Sequence, residues 1–183
     1  MNRFRLIGFV IAAVIFIVDQ AMKALVVGPL GLDHLGTARE LLPFFDLRFV
    51  PNVGVSLGLL PAGSSGMRWA LVAMTALIAS GVAWWMLREK AKWDLIALGL
   101  VLGGAIGNIL DRIRFGYVVD FADLHIGEWR PFLVFNIADA AITFGVLILL
   151  LRALFVREKP EPKVVAASAA TPAKPVSVEN ANA

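Results

Sequence analysis

The chain has 183 residues, of which 59% are hydrophobic and 17% charged, so its composition excludes an ordinary soluble domain and indicates an integral membrane protein. The formal net charge of +3 is small and the basic residues are not gathered on one soluble face, which argues against nucleic-acid binding. The absence of cysteine excludes disulfides and thiolate ligands, and two histidines far apart in sequence argue against a His-rich zinc site.

Four apolar stretches are each long enough to cross a bilayer, which takes about 20 residues. They are residues 6–27, 67–87, 94–113 and 133–155. The first follows two arginines, as in a secretory signal peptide. However, it continues into the polar residues Asp19, Gln20 and Lys23 without a small-residue cleavage site. We therefore predict that it is retained as a membrane span.

Basic residues flank these spans in three groups. They are Arg3 and Arg5 before span one, Arg88, Lys90 and Lys92 between spans two and three, and Arg152, Arg157 and Lys159 after span four. If the spans alternate in direction, all three groups fall on one side of the membrane. Positively charged flanks are typical of the cytoplasmic side, so we expect both termini to be cytoplasmic.

Two longer loops, residues 28–66 and 114–131, then face outward. Within the first loop, "FFDLRFV" alternates apolar and polar residues, which predicts a short strand at residues 45–50. Residues 157–183 are rich in Ala, Pro, Lys, Val and Ser, which is typical of a disordered extension. The domain division is therefore a membrane domain at 1–156 and a cytoplasmic tail at 157–183.

The polar residues of the spans fall at one depth. They are Asp19 and Lys23 in span one, Asn108, Asp111 and Arg112 in span three, Asn136 and Asp139 in span four, and Asp120 shortly after span three. In each case the position is in the outer part of the bilayer or just above it. Ionisable residues in a membrane usually face a bundle interior or a water-filled cavity, so this convergence predicts one shared polar site.

Some of these residues have partners in sequence. Asp19 and Lys23 have i, i+4 spacing that permits a salt bridge, and we prefer a structural role for the pair. Asn108 and Arg112 share a helix face in the same way. Arg112 could brace the site or bind a carboxylate, a carbonyl or a lipid phosphate, and both roles stay open. The glycine repeat at positions 99, 103 and 107 is typical of closely packed helices.

Asp120 and Asp139 have no basic partner nearby in sequence. Two carboxyl groups in a partly dry site share one proton, which leaves one general base and one general acid. Such a pair can activate water against a peptide carbonyl without a metal. The competing interpretation is that each aspartate caps a turn or a helix. We prefer that interpretation for Asp123, and reject it for Asp139 because the residues from 133 onward already look helical.

Five short motifs resemble one family. They are "DQAMK", "NVGVSLG", "GGAIGNILDR", "VVDF" and "FNIADAAI", in this order and at the expected topological positions. The chain resembles lipoprotein signal peptidase, or signal peptidase II, of bacterial inner membranes, over residues 6–155. One departure is the segment after Gly54, which reads Val55-Ser56-Leu57 where the family usually has Ala and an aromatic residue. We expect this loop to contact substrate.

The resemblance implies an intramembrane aspartic protease that removes the signal peptide of a diacylglyceryl-modified prolipoprotein by cleaving before the lipidated cysteine. Asp120 and Asp139 match the catalytic dyad. The positions matching residues that line or support the site are Asn52, Gly54, Asn108, Arg112, Asn136, Asp19, Lys23 and Asp111. The implied fold is an all-α bundle of four transmembrane helices with a small β-element on the outer, periplasmic surface. We expect no cofactor and no metal, contact with membrane lipids, and a monomer.

Two other classes of protein use intramembrane polar residues. A small proton-coupled transporter would place its acids around the midplane and would show internal repeats. The chain has no visible repeat, and the inner halves of its spans are almost purely apolar, which leaves no polar path across the membrane. A non-catalytic scaffold has no need of two unpaired acids at one depth. The peptidase interpretation is therefore preferred.

Overall fold

A computed structural model describes residues 3–54 and 65–155 of the chain. The helices are α1 (Arg3–Val27), α2 (Ser65–Arg88), α3 (Lys92–Arg114) and α4 (Ile137–Phe155), and the strands are β1 (Ala38–Leu42), β2 (Phe45–Asn52) and β3 (Val118–Leu124). All four helices are long and apolar enough to cross a membrane, which confirms the four predicted spans. The predicted tail at 157–183 and the segment Val55-Ser56-Leu57 lie outside the described residues.

Helix α3 lies at the centre of the bundle and packs against α1, α2 and α4. Glycines allow this close packing on two of its faces. A Cβ atom added at Gly99 would lie 2.4 Å from the Gly8 carbonyl oxygen of α1, and one at Gly104 would lie 2.4 Å from the Ala138 carbonyl oxygen of α4. The helix backbones therefore approach closely at these glycines. Gly99 belongs to the predicted glycine repeat, whereas Gly104 lies outside it.

The basic ends of the helices meet at one end of the bundle. Arg5 Nε donates to the Glu89 carbonyl oxygen at 3.0 Å, which joins the start of α1 to the link between α2 and α3. At the same end, Arg152 Nε near the end of α4 pairs with Asp94 Oδ1 at 2.5 Å. The three segments that carry the basic groups therefore meet at one end of the fold, as expected for groups on one side of the membrane.

A three-stranded antiparallel sheet in the order β1-β2-β3 occupies the opposite end. The predicted strand lies within β2, whereas β1 and β3 were not predicted. The sheet rests on the helix ends through a core that includes Val26 of α1, Phe49 of β2 and Phe121 of β3. This packing fixes the height of β3, which carries Asp120.

The sequence-based start of span four was wrong. Helix α4 begins at Ile137, because Phe135 is still part of a β-bridge in which Ala122 N donates to Phe135 O at 2.8 Å and Phe135 N donates to Ala122 O at 3.0 Å. Rejecting a capping role for Asp139 was also wrong. Asp139 N donates to Asn136 Oδ1 at 2.9 Å and Asn136 N donates to Asp139 Oδ2 at 3.3 Å, a reciprocal capping box.

Asp123 is not a capping residue, contrary to expectation. It lies within β3, fully buried, and its Oδ2 atom is 3.1 Å from Arg48 Nε and 3.1 Å from Arg130 Nε. A buried carboxylate is costly without such partners. The Asp123 ion pairs therefore connect β3 to β2 and to the loop that follows β3.

Candidate active site

The Asp120 carboxyl group is held on β3 by two side-chain amides. It is 2% exposed. Asn136 Nδ2 donates to Asp120 Oδ1 at 2.6 Å, and Asn52 Nδ2 donates to Oδ2 at 3.0 Å. Burial, and next the proximity of Asp139, raise the pKa of Asp120 to about 7. This carboxyl group therefore exchanges its proton near neutral pH.

The Asp139 carboxyl group lies in the first turn of α4 and is half-buried. Asn108 Nδ2 of α3 donates to its Oδ1 atom at 2.8 Å, in addition to the backbone bond from Asn136 to Oδ2. Asn136 Nδ2 also lies 3.3 Å from Asn108 Oδ1. Asn136 thus contacts both aspartates, and residues of α3, β3 and the start of α4 meet here.

A buried ionic cluster supports the two aspartates from behind. Lys23 Nζ lies 2.8 Å from Asp19 Oδ2 and 2.7 Å from Asp111 Oδ2, and it donates to Asn108 Oδ1 at 3.3 Å. Asp19 Oδ1 in turn accepts a bond from the Ala138 backbone N–H at 3.0 Å. The predicted Asp19–Lys23 salt bridge is confirmed, and the cluster joins α1, α3 and the start of α4.

Gln20 belongs to this cluster, although the sequence analysis gave it no role. Its Nε2 atom donates to Asp111 Oδ1 at 2.9 Å and lies 3.2 Å from Asp19 Oδ2. The side chain therefore donates to both carboxylates in addition to the Lys23 ammonium, and it reaches the Asp111 oxygen that Lys23 does not contact. Its position at the same depth as Asp19 was a signal that could have identified it.

Gly54 and Arg112 complete the set of expected residues. Gly54 N donates to Asn52 Oδ1 at 2.9 Å from a backbone with φ of 90°, which favours glycine. This bond engages the amide oxygen of Asn52 and leaves its nitrogen to face Asp120.

Arg112 is half-buried, and its Nη1 atom donates to the Asn108 carbonyl oxygen at 3.4 Å. Its buried Nε has no hydrogen-bond partner within the described parts of the chain.

The structure thus brings together every residue predicted at this shared depth. Arg112 donates to the backbone of Asn108, and its charge interacts with those of Asp139 and Asp120. Two carboxyl groups are oriented by neutral amide donors, and the Lys23 ammonium is engaged by two other carboxylates. Amide donors fix the orientation of both groups without supplying a compensating positive charge. Such a pair can hold one proton and can both donate and accept it.

Four membrane helices with a buried polar site at one end define a multi-pass membrane enzyme, and two solved structures agree with that class. Each is described as a bacterial membrane enzyme. Their TM-scores are 0.67 and 0.70 at 29% and 28% identity, and the matches cover 80% and 82% of this chain and 87% and 94% of those chains.

Family membership follows from sequence similarity. The family model for signal peptidase (SPase) II matches residues 11–155, so the chain belongs to this family. A lipoprotein signal peptidase of Rhizorhabdus wittichii is 62% identical over 158 residues, covering 86% of this chain and 91% of that protein. One from Sphingopyxis alaskensis is 55% identical over 152 residues, covering 83% and 87%. The predicted family and signal peptidase function are confirmed, and nothing favours the transporter alternative.

Proposed function

We propose that this signal peptidase is an intramembrane aspartic endopeptidase whose catalytic dyad is Asp120 and Asp139. Its substrate is a prolipoprotein with a diacylglyceryl-modified cysteine, and the bond cleaved is the one just before that cysteine. The observation that carries the proposal is the paired arrangement of the two carboxyl groups, one of which has a pKa raised to about 7. A carboxyl group that is protonated near neutral pH can act as a general acid.

In the proposed first step, Asp139 is ionised and Asp120 is protonated. Asp139 removes a proton from water while the water oxygen attacks the peptide carbonyl carbon. Asp120 gives its proton to the carbonyl oxygen, so a neutral gem-diol forms. One gem-diol hydroxyl then returns a proton to Asp120, Asp139 protonates the amide nitrogen, and the C–N bond breaks. The products are an acid and an amine, and both aspartates regain their starting states.

The other site residues act by holding this geometry. Asn52, Asn108 and Asn136 donate to the carboxyl groups, and Gly54 fixes the orientation of Asn52. The buried cluster of Asp19, Lys23 and Asp111 braces α1, α3 and α4 against one another. We assign Arg112 to substrate contact, because its buried Nε has no hydrogen-bond partner among the described residues and its charge interacts with both aspartates.

We further propose that the enzyme lies in the bacterial inner membrane as a monomer with its peptidase domain in residues 1–156. Both termini are cytoplasmic and the active site is near the periplasmic face. Two features support this orientation: the basic helix ends gather at one end of the bundle, and both aspartates lie at the other.

The test replaces one carboxyl group at a time. Asp120→Asn and Asp139→Asn should each accumulate as folded protein and fail to convert a diacylglyceryl-prolipoprotein to its shorter form. The measurement is a gel shift in a strain lacking its own lipoprotein signal peptidase, with immunoblotting for accumulation. Asp33→Asn is the matched control, because this side chain is 60% exposed in an outer loop. We expect Asp33→Asn to process substrate normally.

The same substitutions are then assayed with purified protein and EDTA present. We expect the unsubstituted enzyme to retain activity, because the proposed chemistry uses only the two carboxyl groups. Normal processing by either Asn variant would overturn the dyad. Loss of activity in EDTA that Zn²⁺ or Mg²⁺ restores would instead indicate a metal-dependent hydrolase.

A further inference from the structure

A pocket of about 400 Å³ opens beside Asp139 at the outer end of α4. Its walls include Phe132 and Leu133 from the loop after β3, and Ala140, Thr143 and Phe144 from α4. Among the residues that the structure describes, Asp139 is the only ionisable one that lines it. The Thr143 hydroxyl donates to the Asp139 carbonyl oxygen at 2.8 Å, so it is already engaged. The pocket is therefore an apolar space that ends at a proposed catalytic carboxyl group.

The rim of this pocket faces outward from the bundle. Phe132 is 62% exposed, Leu133 is 91% exposed and Phe144 is 61% exposed. Exposed apolar side chains on a membrane-spanning helix contact lipid, and the adjoining loop extends the same apolar surface. An occupant can therefore enter from the membrane without passing through water. A volume of about 400 Å³ also falls within the range of about 300–1,000 Å³ that is usual for ligand pockets.

The loop wall is held in place from both of its ends. Arg130 Nε pairs with the buried Asp123 Oδ2 at 3.1 Å, two residues before Phe132. The loop also begins with a bridge between Ile126 and Trp129 and ends with the bridge between Phe135 and Ala122. These bonds hold the loop in a defined conformation, so Phe132 and Leu133 form a fixed wall of the pocket.

We propose that this pocket is the subsite for one acyl chain of the lipid on the substrate cysteine. The inference rests on the proposed function and extends it. The bond to be cut lies on the N-terminal side of the lipidated cysteine, so the lipid begins only a few bonds from the reacting carbonyl. A chain that starts beside Asp139 and must remain in an apolar environment meets this pocket first. The pocket size fits a single chain extending towards the membrane.

A second apolar groove provides a comparison. It has a volume of about 540 Å³, lies between α1, α2 and α3, and is lined by residues such as Ala12, Ala76 and Ile109. Neither Asp120 nor Asp139 is among its lining residues. A chain attached at the reacting cysteine would have to cross the polar site to reach it. The groove therefore serves as a control surface of similar chemistry.

We expect the pocket to determine where the lipidated cysteine lies relative to the two aspartates, and to have little effect on how tightly the substrate binds. Lipid tails are as apolar as the pocket wall, so moving an acyl chain from the bilayer into the pocket has little hydrophobic driving force. Filling the pocket should instead exclude a long chain and shift the cysteine away from the dyad. A displacement of about 1 Å at a reacting centre can lower the rate by about a hundredfold.

The decisive variant is Ala140→Phe, assayed on two peptides with the same lipobox sequence. One peptide has a dipalmitoylglyceryl cysteine and the other a diacetylglyceryl cysteine. We expect Ala140→Phe to lower kcat/KM by about tenfold or more for the long-chain peptide only. Ala76→Phe, which fills the control groove, should alter neither value. Equal loss on both peptides, or no loss on either, would overturn the acyl-chain assignment. An unsubstituted enzyme that cleaves neither peptide would contradict the proposed function instead.

Cross-linking tests the same proposal without a substitution at the pocket. A substrate with a diazirine on one acyl chain, near its carbonyl end, is irradiated with the unsubstituted enzyme, and the labelled peptides are identified by mass spectrometry. We expect labelling in segments that contain Phe132, Leu133 or Phe144. Labelling confined to α1 and α2 would overturn the proposal. This experiment decides the question even if Ala140→Phe fails to fold.

Discussion

Asn136 combines a structural and a chemical role in one side chain. Its Oδ1 atom caps the first turn of α4, and its Nδ2 atom donates to Asp120 Oδ1 at 2.6 Å. The capping bond fixes the side-chain orientation, so the amide nitrogen must point away from α4 towards β3. Asp139 completes the capping box from the other side. The geometry of the proposed dyad is therefore set by the same bonds that start the helix.

The pH dependence of the enzyme should report on Asp120. Its pKa is raised to about 7, so an essential general acid here is lost as the pH rises above that value. We expect kcat/KM to fall on the alkaline side with an apparent pKa near 7. The hydrogen bond from Asn52 lowers the pKa of Asp120. Asn52→Ala should therefore move the alkaline limb to higher pH. A limb that stays in place or moves to lower pH contradicts the assignment.

Lys23 should contribute mainly to stability. Its ammonium lies between two carboxylates that are almost fully buried, and Lys23→Met leaves both without their cation. We expect a loss of about 3–5 kcal/mol in the free energy of unfolding. Arg152→Met is the control, because the Arg152 and Asp94 side chains are 26% and 20% exposed. That loss should be about 1 kcal/mol or less.

Melting temperatures in detergent, measured together with peptidase activity, distinguish two roles for Lys23. A lower melting temperature for Lys23→Met than for Arg152→Met supports a structural role. An unchanged melting temperature with lost activity would assign Lys23 to substrate contact instead.

Among the elements, β3 shows why part of the site could not be predicted from the sequence. Six of its seven residues are buried, so "VVDFADL" lacks the alternation of apolar and polar residues that identifies a strand with one exposed face. Its two aspartates are buried on account of partners elsewhere in the chain: Asp120 is held by Asn52 and Asn136, and Asp123 by Arg48 and Arg130. Such long-range partners leave no local pattern.

The close contact between α1 and α3 depends on glycine. The same substitution, Gly→Ala, should therefore destabilise the protein in α3 and stabilise it in α2. A Cβ atom at Gly103 would lie 2.5 Å from the Ala12 carbonyl oxygen and 3.0 Å from its Cα atom, so Gly103→Ala forces the helices apart. We expect a loss of about 1–3 kcal/mol in the free energy of unfolding. Gly81→Ala is the control in α2, since nothing lies within 4 Å of its added Cβ. Alanine is the better helix former, so Gly81→Ala should raise the melting temperature.

The measurement is thermal unfolding of both variants in the same detergent. A melting temperature for Gly103→Ala equal to that of Gly81→Ala would show that α1 and α3 separate at little cost. It would then exclude close backbone contact as the reason for the glycine repeat.

For the whole molecule, the depth of each polar residue along its span predicted more of the site than any local sequence pattern did. Counting residues along alternating spans placed Asp19, Asn108 and Asp139 at one height, and the structure links them through Lys23 and Ala138. The height of a residue in the membrane depends only on the helix rise and the direction of its span, and the apolar runs define both. It could not give the pairing of Lys23 with Asp111, because the rotation of α1 against α3 is set by their glycine contacts.

The proposed orientation in the membrane can be tested with single cysteines, because the natural chain has none. Leu35 is 69% exposed in the loop between α1 and β1, at the end of the bundle that holds Asp120 and Asp139. Lys90 is exposed in the link between α2 and α3, at the opposite end. In right-side-out membrane vesicles, a membrane-impermeant maleimide should label Leu35→Cys and not Lys90→Cys. Inside-out vesicles should give the reverse pattern, because the proposed orientation puts the basic end of the bundle on the cytoplasmic side. Labelling of Lys90→Cys in right-side-out vesicles would place the dyad at the cytoplasmic face, where it could not meet a precursor whose lipidated cysteine lies at the outer surface.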